Sequence, residues 1–427
     1  MADQYVTVGG VSDAFITGSV ALYAHYSGKK GATGFGSNSS ATQVAEKWAG
    51  SGQTVIVTGC SGGLGLESVR VLAARGAHVI MAVRDVAKVS ATAAELRKAD
   101  PSSQLTVMSL DLACLESVRA FAAAFLATGY PLNILLQNGA VMACPFTLSA
   151  DGHEMQFATN HLGHFLLTHL LLEHMLATAQ SSGVAARVVT VSSAAHIMSY
   201  PEGIRPLETI DAKGGYGGWP AYGQSKLANI LFTRELNTRM EGRPLVAVCC
   251  HPGAILTNLG RHVTSGLSSA LLSVTHAMAR PLFKSIPQGA ATQVFLATSP
   301  RVEAGEVSRG GGGGGGGIVP LDTVTAAPRS TRHRLHRRRR SLMPPSSTRA
   351  GVRESWQDGV RHVRLAHRDV HPVLSAQQPT APDPPPPPLM FRYYADVNVS
   401  PSSTHSHSRA LGKALWETSS RMAGTAH

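Results

Sequence analysis

Charge is scarce in this chain. Only 15% of its 427 residues are Asp, Glu, Lys or Arg, where an average soluble protein carries about a quarter. Cysteine is equally sparse: Cys60, Cys114, Cys144, Cys249 and Cys250 are the full set. An odd number with no C-x-x-C excludes a disulfide framework and a zinc ribbon, and suits a reducing compartment. No apolar run reaches the length of a membrane-spanning helix. The apolar-leaning stretch 11–26 is broken by Asp13 and His25. The first 50 residues contain no Arg but do contain Asp3 and Asp13, which does not match an Arg-rich transit peptide. No internal repeat is present.

What charge there is sits unevenly. The chain has 38 Lys and Arg against 26 Asp and Glu, a formal net charge of +12. Between Ser308 and Met390 there are thirteen Arg, no Lys and five acids, so +8 of the excess lies in that stretch. The same stretch holds twelve of the 24 prolines, the glycine run Gly310 to Gly317 and the run Arg337 to Arg340. It shows neither the 3.6 nor the 2 periodicity of a packed element. It reads as a solvated, disordered insertion, and its basic text is a poor ground for nucleic-acid binding.

The 43% apolar content falls in an alternating order. Apolar strands are expected at 54–58, 78–83, 105–109, 133–136, 187–192 and 245–250. Helices are expected at 64–75, 86–98, 115–126, 155–178 and 221–240. Strands alternating with helices predict a parallel sheet covered on both faces, a Rossmann-type doubly wound α/β domain. Two helical pieces follow at 269–282 and 287–296, then the insertion, then a strand at 393–397 and a helix at 410–422. Four segments result: a loose N-terminal arm at 1–50 with a short helical piece at 41–48, the α/β domain at 51–307, the insertion at 308–390, and a returning strand and helix at 391–427 that complete the domain.

The first strand runs into Thr58-Gly59-Cys60-Ser61-Gly62-Gly63-Leu64-Gly65 and then a helix. Glycines let the backbone approach a pyrophosphate, and the helix N-terminus offers free N–H groups and a positive dipole end. Gly59, Ser61, Gly63, Leu64 and Gly65 are therefore candidate dinucleotide contacts. The second strand ends Val83-Arg84-Asp85. Arg84 suits a 2′-phosphate and favours NADP over NAD; Asp85 would serve NAD or begin the next helix. Asp111, after the third strand, is placed for the adenine amino group or for a helix cap.

Tyr222 and Lys226 stand at i and i+4 on an expected helix and share a face. An ammonium beside a phenol favours the phenolate. Ser193 ends a strand, where α/β sheets place their ligand groups, and Asn160 lies in the long helix. His161 and His164 beside it read as packing residues rather than metal ligands. Cys249 and Cys250 read as filling for a buried strand.

In this order, TGCSGGLG, Asp111-Leu112, Asn160, Ser193, Tyr222-Gly-Gln-Ser-Lys226 and His251-Pro252-Gly253 resemble the short-chain dehydrogenase/reductases over 53–296, resuming at 393–422. The 29-residue interval from Ser193 to Tyr222 is similar to that of the retinol dehydrogenase and protochlorophyllide reductase cluster. GFGSNSSATQVAE, HVIMAVRD, MACPF and FATNHLGHFLLTHLLLE resemble the plant short-chain dehydrogenases of the chloroplast inner envelope, which associate with the import translocon.

That resemblance implies Tyr222 as general acid/base, with Lys226 lowering its pKa and binding the nicotinamide ribose. Ser193 would polarise the substrate carbonyl, and Asn160 would hold a water linking Lys226 to solvent. Leu112, Asn138, Pro252, Gly253 and Thr257 join the cofactor contacts. The implied activity is NADP(H)-dependent hydride transfer on a small lipophilic carbonyl or alcohol. A redox-sensing, partner-binding translocon component is the other reading. Calmodulin at the C-terminal helix, peripheral membrane association and a homodimer are the implied partners. The implied location is the chloroplast inner envelope, and without the resemblance the cytoplasm. One departure is Gln137-Asn138-Gly139-Ala140, where the family has Asn-Asn-Ala-Gly; the added methyl of Ala140 is expected to weaken cofactor binding. The Ala228 position, where the light-dependent reductases carry Cys, argues against that activity.

Overall fold

The computed structural model describes residues 30, 31, 33–253, 255, 283–303, 393–395, 398–400 and 404–425. These all fall in one unit, formed by Met1–Gly310 with Pro388–His427. The insertion, Thr257 and the expected helix at 269–282 lie outside the described residues.

Strands β1 Thr54–Thr58, β2 His78–Val83, β3 Gln104–Ser109, β4 Ile134–Gln137, β5 Ala186–Val191, β6 Leu245–His251, β7 Tyr393–Ala395 and β8 Asn398–Ser400 form one sheet. Its order is β3-β2-β1-β4-β5-β6-β7-β8. All neighbours are parallel except β7 with β8. The order reverses between β1 and β4, the switch point at which such sheets bind ligands beyond their strand ends.

Helices α1 Gly63–Ala73, α2 Val86–Ala99, α3 Leu115–Ala127, α4 Gly163–Ser182, α5 Gly218–Arg239, α6 Ile286–Thr298 and α7 Arg409–Ala423 cover the sheet. Strand residues alternate between two cores because successive side chains point to opposite faces. Val55, Val57, Val79, Met81 and Val189 enter the core with Leu72 of α1, Val89 of α2 and Phe295 of α6. Ile56, Ile80, Leu135 and Val188 enter the other with Phe121 of α3, Phe165 of α4 and Phe232 of α5. Each fully buried side chain of this size contributes about 1.5–3 kcal/mol relative to exposure.

Three features depart from the sequence expectation. Residues 33–50 pack more closely than a loose arm: the short helix expected at 41–48 begins at Ala41 as the turn Ala41–Val44, on which Ser40 and Gln43 form a capping box. Ala41, Val44 and Ala45 join the first core, and Phe35 packs edge-on against Phe295 at 5.8 Å. The long helix is broken at its start: the turn Met155–Phe157 passes through a π-helical turn, Ala158–Leu162, before α4. The returning strand is followed by the antiparallel β8. Its partner β7 pairs with β6 through Cys249, Cys250 and His251, so the chain after the insertion re-enters the same sheet.

Candidate active site

The dinucleotide turn is built for close backbone approach. Gly59 has φ +64°, a left-handed conformation that a side chain resists, and a Cβ there would run into the Gly139 backbone. A Cβ on Gly65 would stand 2.6 Å from the Gly59 carbonyl oxygen and from Asn138 Nδ2. Asn138 holds the turn by donating to the Thr58 and Gly59 carbonyls at 3.0 and 3.1 Å. The first turn of α1 has no side-chain cap and no acid, so its N–H groups face outward beside exposed Ser61. This concave, positively polarised turn fits a pyrophosphate.

At the end of β2, Arg84 and Asp85 are both exposed. One oxygen of Asp85 accepts from Lys88 N at 3.0 Å and caps α2, the second of the roles considered for it. Asp111 is not the cap of α3; Cys114 is. Its carboxylate accepts instead from Ala113 N at 3.0 Å, and Leu112 is buried against Gly139. The Gly139 position is tight, since a Cβ there would stand 2.7 Å from Leu112 Cδ1. A glycine here thus relieves crowding beneath the turn.

Ser193 follows β5 and begins the 3₁₀ turn Ala194–Met198, accepting from Ala195 N at 3.1 Å. Its hydroxyl acts to lower the pKa of the Tyr222 phenol. Tyr222 and Lys226 stand one turn apart on α5, with Lys226 Nζ 5.6 Å from the Tyr222 ring centroid. Nζ donates to the Val191 carbonyl at 3.0 Å. Burial pushes Lys226 down to about 8. Burial also pushes Tyr222 up to about 12, against the opposing effect of Ser193. The expected lowering of the phenol is therefore not met in this geometry: the ammonium lies over the ring face and is tied to β5, and desolvation prevails.

Asn160 sits in the π turn, a device common at functional sites. Its side chain is spent on packing the site. Nδ2 donates to the Val141 carbonyl and to Ser225 Oγ, both at 2.9 Å, and Oδ1 accepts from Val141 N at 2.8 Å. Ser225 directly precedes Lys226. His161 and His164 are buried and held neutral, pushed by burial to about 3 and about 4. Among the described residues no group of His, Cys, Asp and Glu could hold a metal. Pro252 and Gly253 close β6.

Gln156 was not singled out by the sequence. It donates to Tyr216 Oη and the Gly218 carbonyl, both at 2.9 Å, and accepts from Ala143 N at 2.7 Å. It thus joins the segment after β4 to the entry of α5. Its spacing of four from Asn160 was the available signal. Beside Tyr222, Trp219 stands edge-on at 6.2 Å. Trp219 is 40% exposed, and Ile197 and Met198 of the 3₁₀ turn are 43% and 47% exposed. That turn lies against α5 at Gly223, where a Cβ would meet the Ala195 carbonyl oxygen at 2.6 Å.

A family model described as short chain dehydrogenase matches residues 53–205. The chain is 45% identical over 281 residues to short-chain dehydrogenase TIC 32 B, chloroplastic, of Brassica napus, covering 65% of this chain and 86% of that protein. It is 42% identical over 252 residues to retinol dehydrogenase 12 of Homo sapiens, covering 59% of this chain and 75% of that protein. Among solved structures, an uncharacterized protein from Mycobacterium Paratuberculosis matches with a TM-score of 0.52 at 28% identity, covering 89% of this chain and 97% of that one.

Proposed function

This chain belongs to the short-chain dehydrogenase/reductase family of oxidoreductases, and from that premise we propose that it moves a hydride between NADP(H) and a small lipophilic carbonyl or alcohol. The observation that carries the reading is the joining of Ser193, Tyr222 and Lys226 beyond β5, in a sheet whose β1 opens onto an uncapped helix N-terminus. The glycine-lined turn at 59–65 fits the pyrophosphate. Arg84 takes the 2′-phosphate, with one Asp85 oxygen committed to the α2 cap. Asp111 and Leu112 flank the adenine, and Asn138 the adenosine ribose. Pro252, Gly253 and Thr257 adjoin the nicotinamide.

Bound NADPH supplies the hydride. Tyr222, a neutral phenol across the physiological range because burial raises its pKa, donates a proton to the carbonyl oxygen. Ser193 polarises that oxygen. Lys226 binds the nicotinamide ribose, and Asn160 is assigned the water that links Lys226 to solvent. In the reverse direction Tyr222 accepts the proton. The apolar rim of Ile197, Met198 and Trp219 supports a lipophilic substrate.

A chloroplast location follows from the plant relative's printed name, with the inner envelope as the proposed membrane. No helix among the described residues is long and apolar enough to cross a membrane; peripheral association is proposed from the resemblance. The translocon reading draws on resemblance alone. Cys60, Cys249 and Cys250 are buried, and burial pushes their thiols up, which disfavours the reactive thiolate at those three positions. A calmodulin site on α7 would compete with its docking, since Leu415 is buried and Trp416 stacks on Phe232 at 5.9 Å.

The test is NADPH and NADH oxidation against a panel of lipophilic aldehydes and ketones. The expected kcat/KM with NADPH exceeds that with NADH by about tenfold or more, the value of one charge-assisted contact to phosphate. Absence of turnover with either cofactor across the panel would overturn the reading.

A further inference from the structure

Thr58 ends β1 immediately before Gly59, and its side chain is fully buried. Its hydroxyl oxygen accepts two backbone N–H bonds from the end of β4, from Asn138 at 3.0 Å and Gly139 at 2.9 Å. Its third neighbour is His164 Nε2 at 2.8 Å. A hydroxyl has two lone pairs and one proton. With both lone pairs taken, the proton points at Nε2, which must accept it. The ring proton then sits on Nδ1, which lies 3.0 Å from the Asn160 carbonyl oxygen, an obligatory acceptor. Geometry therefore selects one neutral tautomer, and burial keeps the ring uncharged. One imidazole thus spans the dinucleotide turn and the π turn that carries Asn160.

We infer that His164 is a positioning residue: bridging Thr58 Oγ1 and the Asn160 carbonyl, it sets the cofactor turn and the proton-handling turn in fixed register. Two further links transmit that register. Thr58 holds the Asn138 and Gly139 backbone under Gly59. Asn160 holds Ser225, next to Lys226, through its amide. A buried histidine that merely satisfies its own bonds would affect stability alone when replaced. A register-setting one divides its effects by ring nitrogen. This rests on the oxidoreductase reading above.

The test uses the full chain. His164→Asn keeps a donor near Nδ1 but cannot reach Thr58. His164→Gln reaches Thr58 but has no donor at the Nδ1 position. The first is expected to lose about threefold to tenfold in NADPH affinity by fluorescence titration, more than it loses in kcat. The second is expected to lose a similar factor in kcat and to shift the alkaline limb of its pH profile, more than it loses in affinity. Thr58→Val should weaken NADPH binding more than His164→Asn, because it also strips the acceptor of Asn138 N and Gly139 N. Thr58→Ser should restore it, and the Thr58→Val and His164→Asn losses should sum to more than the double variant shows, because both remove the Thr58–His164 bond. Folded His164 variants with wild-type affinity, kcat and pH profile would overturn the inference. Where those variants fail to fold, equal NADPH affinity in Thr58→Val and Thr58→Ser overturns it. A wild-type protein that neither binds nor oxidises NADPH would instead overturn the oxidoreductase reading itself.

Discussion

Two buried side chains in the site are pushed in opposite directions by the same cause. Burial disfavours a phenolate at Tyr222 and an ammonium at Lys226, so the first rises to about 12 and the second falls to about 8. A proton donor is thus in hand for carbonyl reduction at neutral pH. Alcohol oxidation needs the phenolate and is expected to accelerate as pH rises through the alkaline range while reduction does not. Initial rates in both directions from pH 6 to 10 check this; identical profiles would contradict it. At Arg84, replacement by Ala is expected to raise the KM for NADPH about tenfold with little change for NADH, read from steady-state kinetics with each cofactor.

At the scale of elements, the π turn and α7 depend on each other. His161 Nε2 is 2.8 Å from Ser419 Oγ, and Trp416 packs edge-on against Phe165 at 5.0 Å and stacks on Phe232. The Arg239 guanidinium lies over the Trp416 ring, 4.4 Å from its centroid. Trp416→Ala is expected to cost about 2–4 kcal/mol, visible as a lower Tm. Two buried histidines, one in the turn and one at the start of α4, also set the acid limit. His161 and His164 have folded pKa values below the unfolded 6.5. Between those values the unfolded chain binds protons that the folded one refuses, so stability is full above about 6.5 and falls as pH drops below it. Denaturant midpoints at pH 7.5 and 5 measure the loss, and His161→Phe should reduce it.

The strands and most helices of this chain were legible because both-face burial writes continuous apolar runs such as Val55 to Val57 and Val188 to Val191. The placement of Ser193, Tyr222 and Lys226 was legible because Tyr222 and Lys226 sit at helical spacing and Ser193 at a strand end. The π turn was not, since its cause is tertiary: Asn160 and His164 satisfy partners on Val141, Ser225 and Thr58, far away in sequence. The start of the short helix at Ala41 was legible, but the packing of 33–50 was missed for a related reason. Glycine- and serine-rich text reads as loop, while the burial of Ala41 and Val44 depends on α6 across the chain. The raised Tyr222 pKa was misjudged because charge proximity is visible in a sequence and desolvation is not.

For the whole molecule, the scarcity of charge and its uneven placement acquire a structural frame. Outside Ser308–Met390 the chain carries only +4, modest for a protein proposed to hold an anionic dinucleotide. β7 resumes beside β6 in parallel register at Tyr393, so the 83-residue stretch interrupts a connection within one sheet. Deleting 308–390 is expected to leave the Tm and the NADPH-dependent rate within about twofold, because loop length alters closure entropy only logarithmically. Thermal melts and initial rates of the two proteins side by side check this; loss of folding in the deletion would contradict it.

The central claim is that Tyr222 delivers the proton in a hydride transfer, and Tyr222→Phe tests it most directly. Removing the hydroxyl is expected to lower kcat by about 10²-fold or more, the share of a positioned general acid, while NADPH affinity changes by less than about threefold. A folded Tyr222→Phe protein that reduces its carbonyl substrate at the wild-type rate would contradict the account.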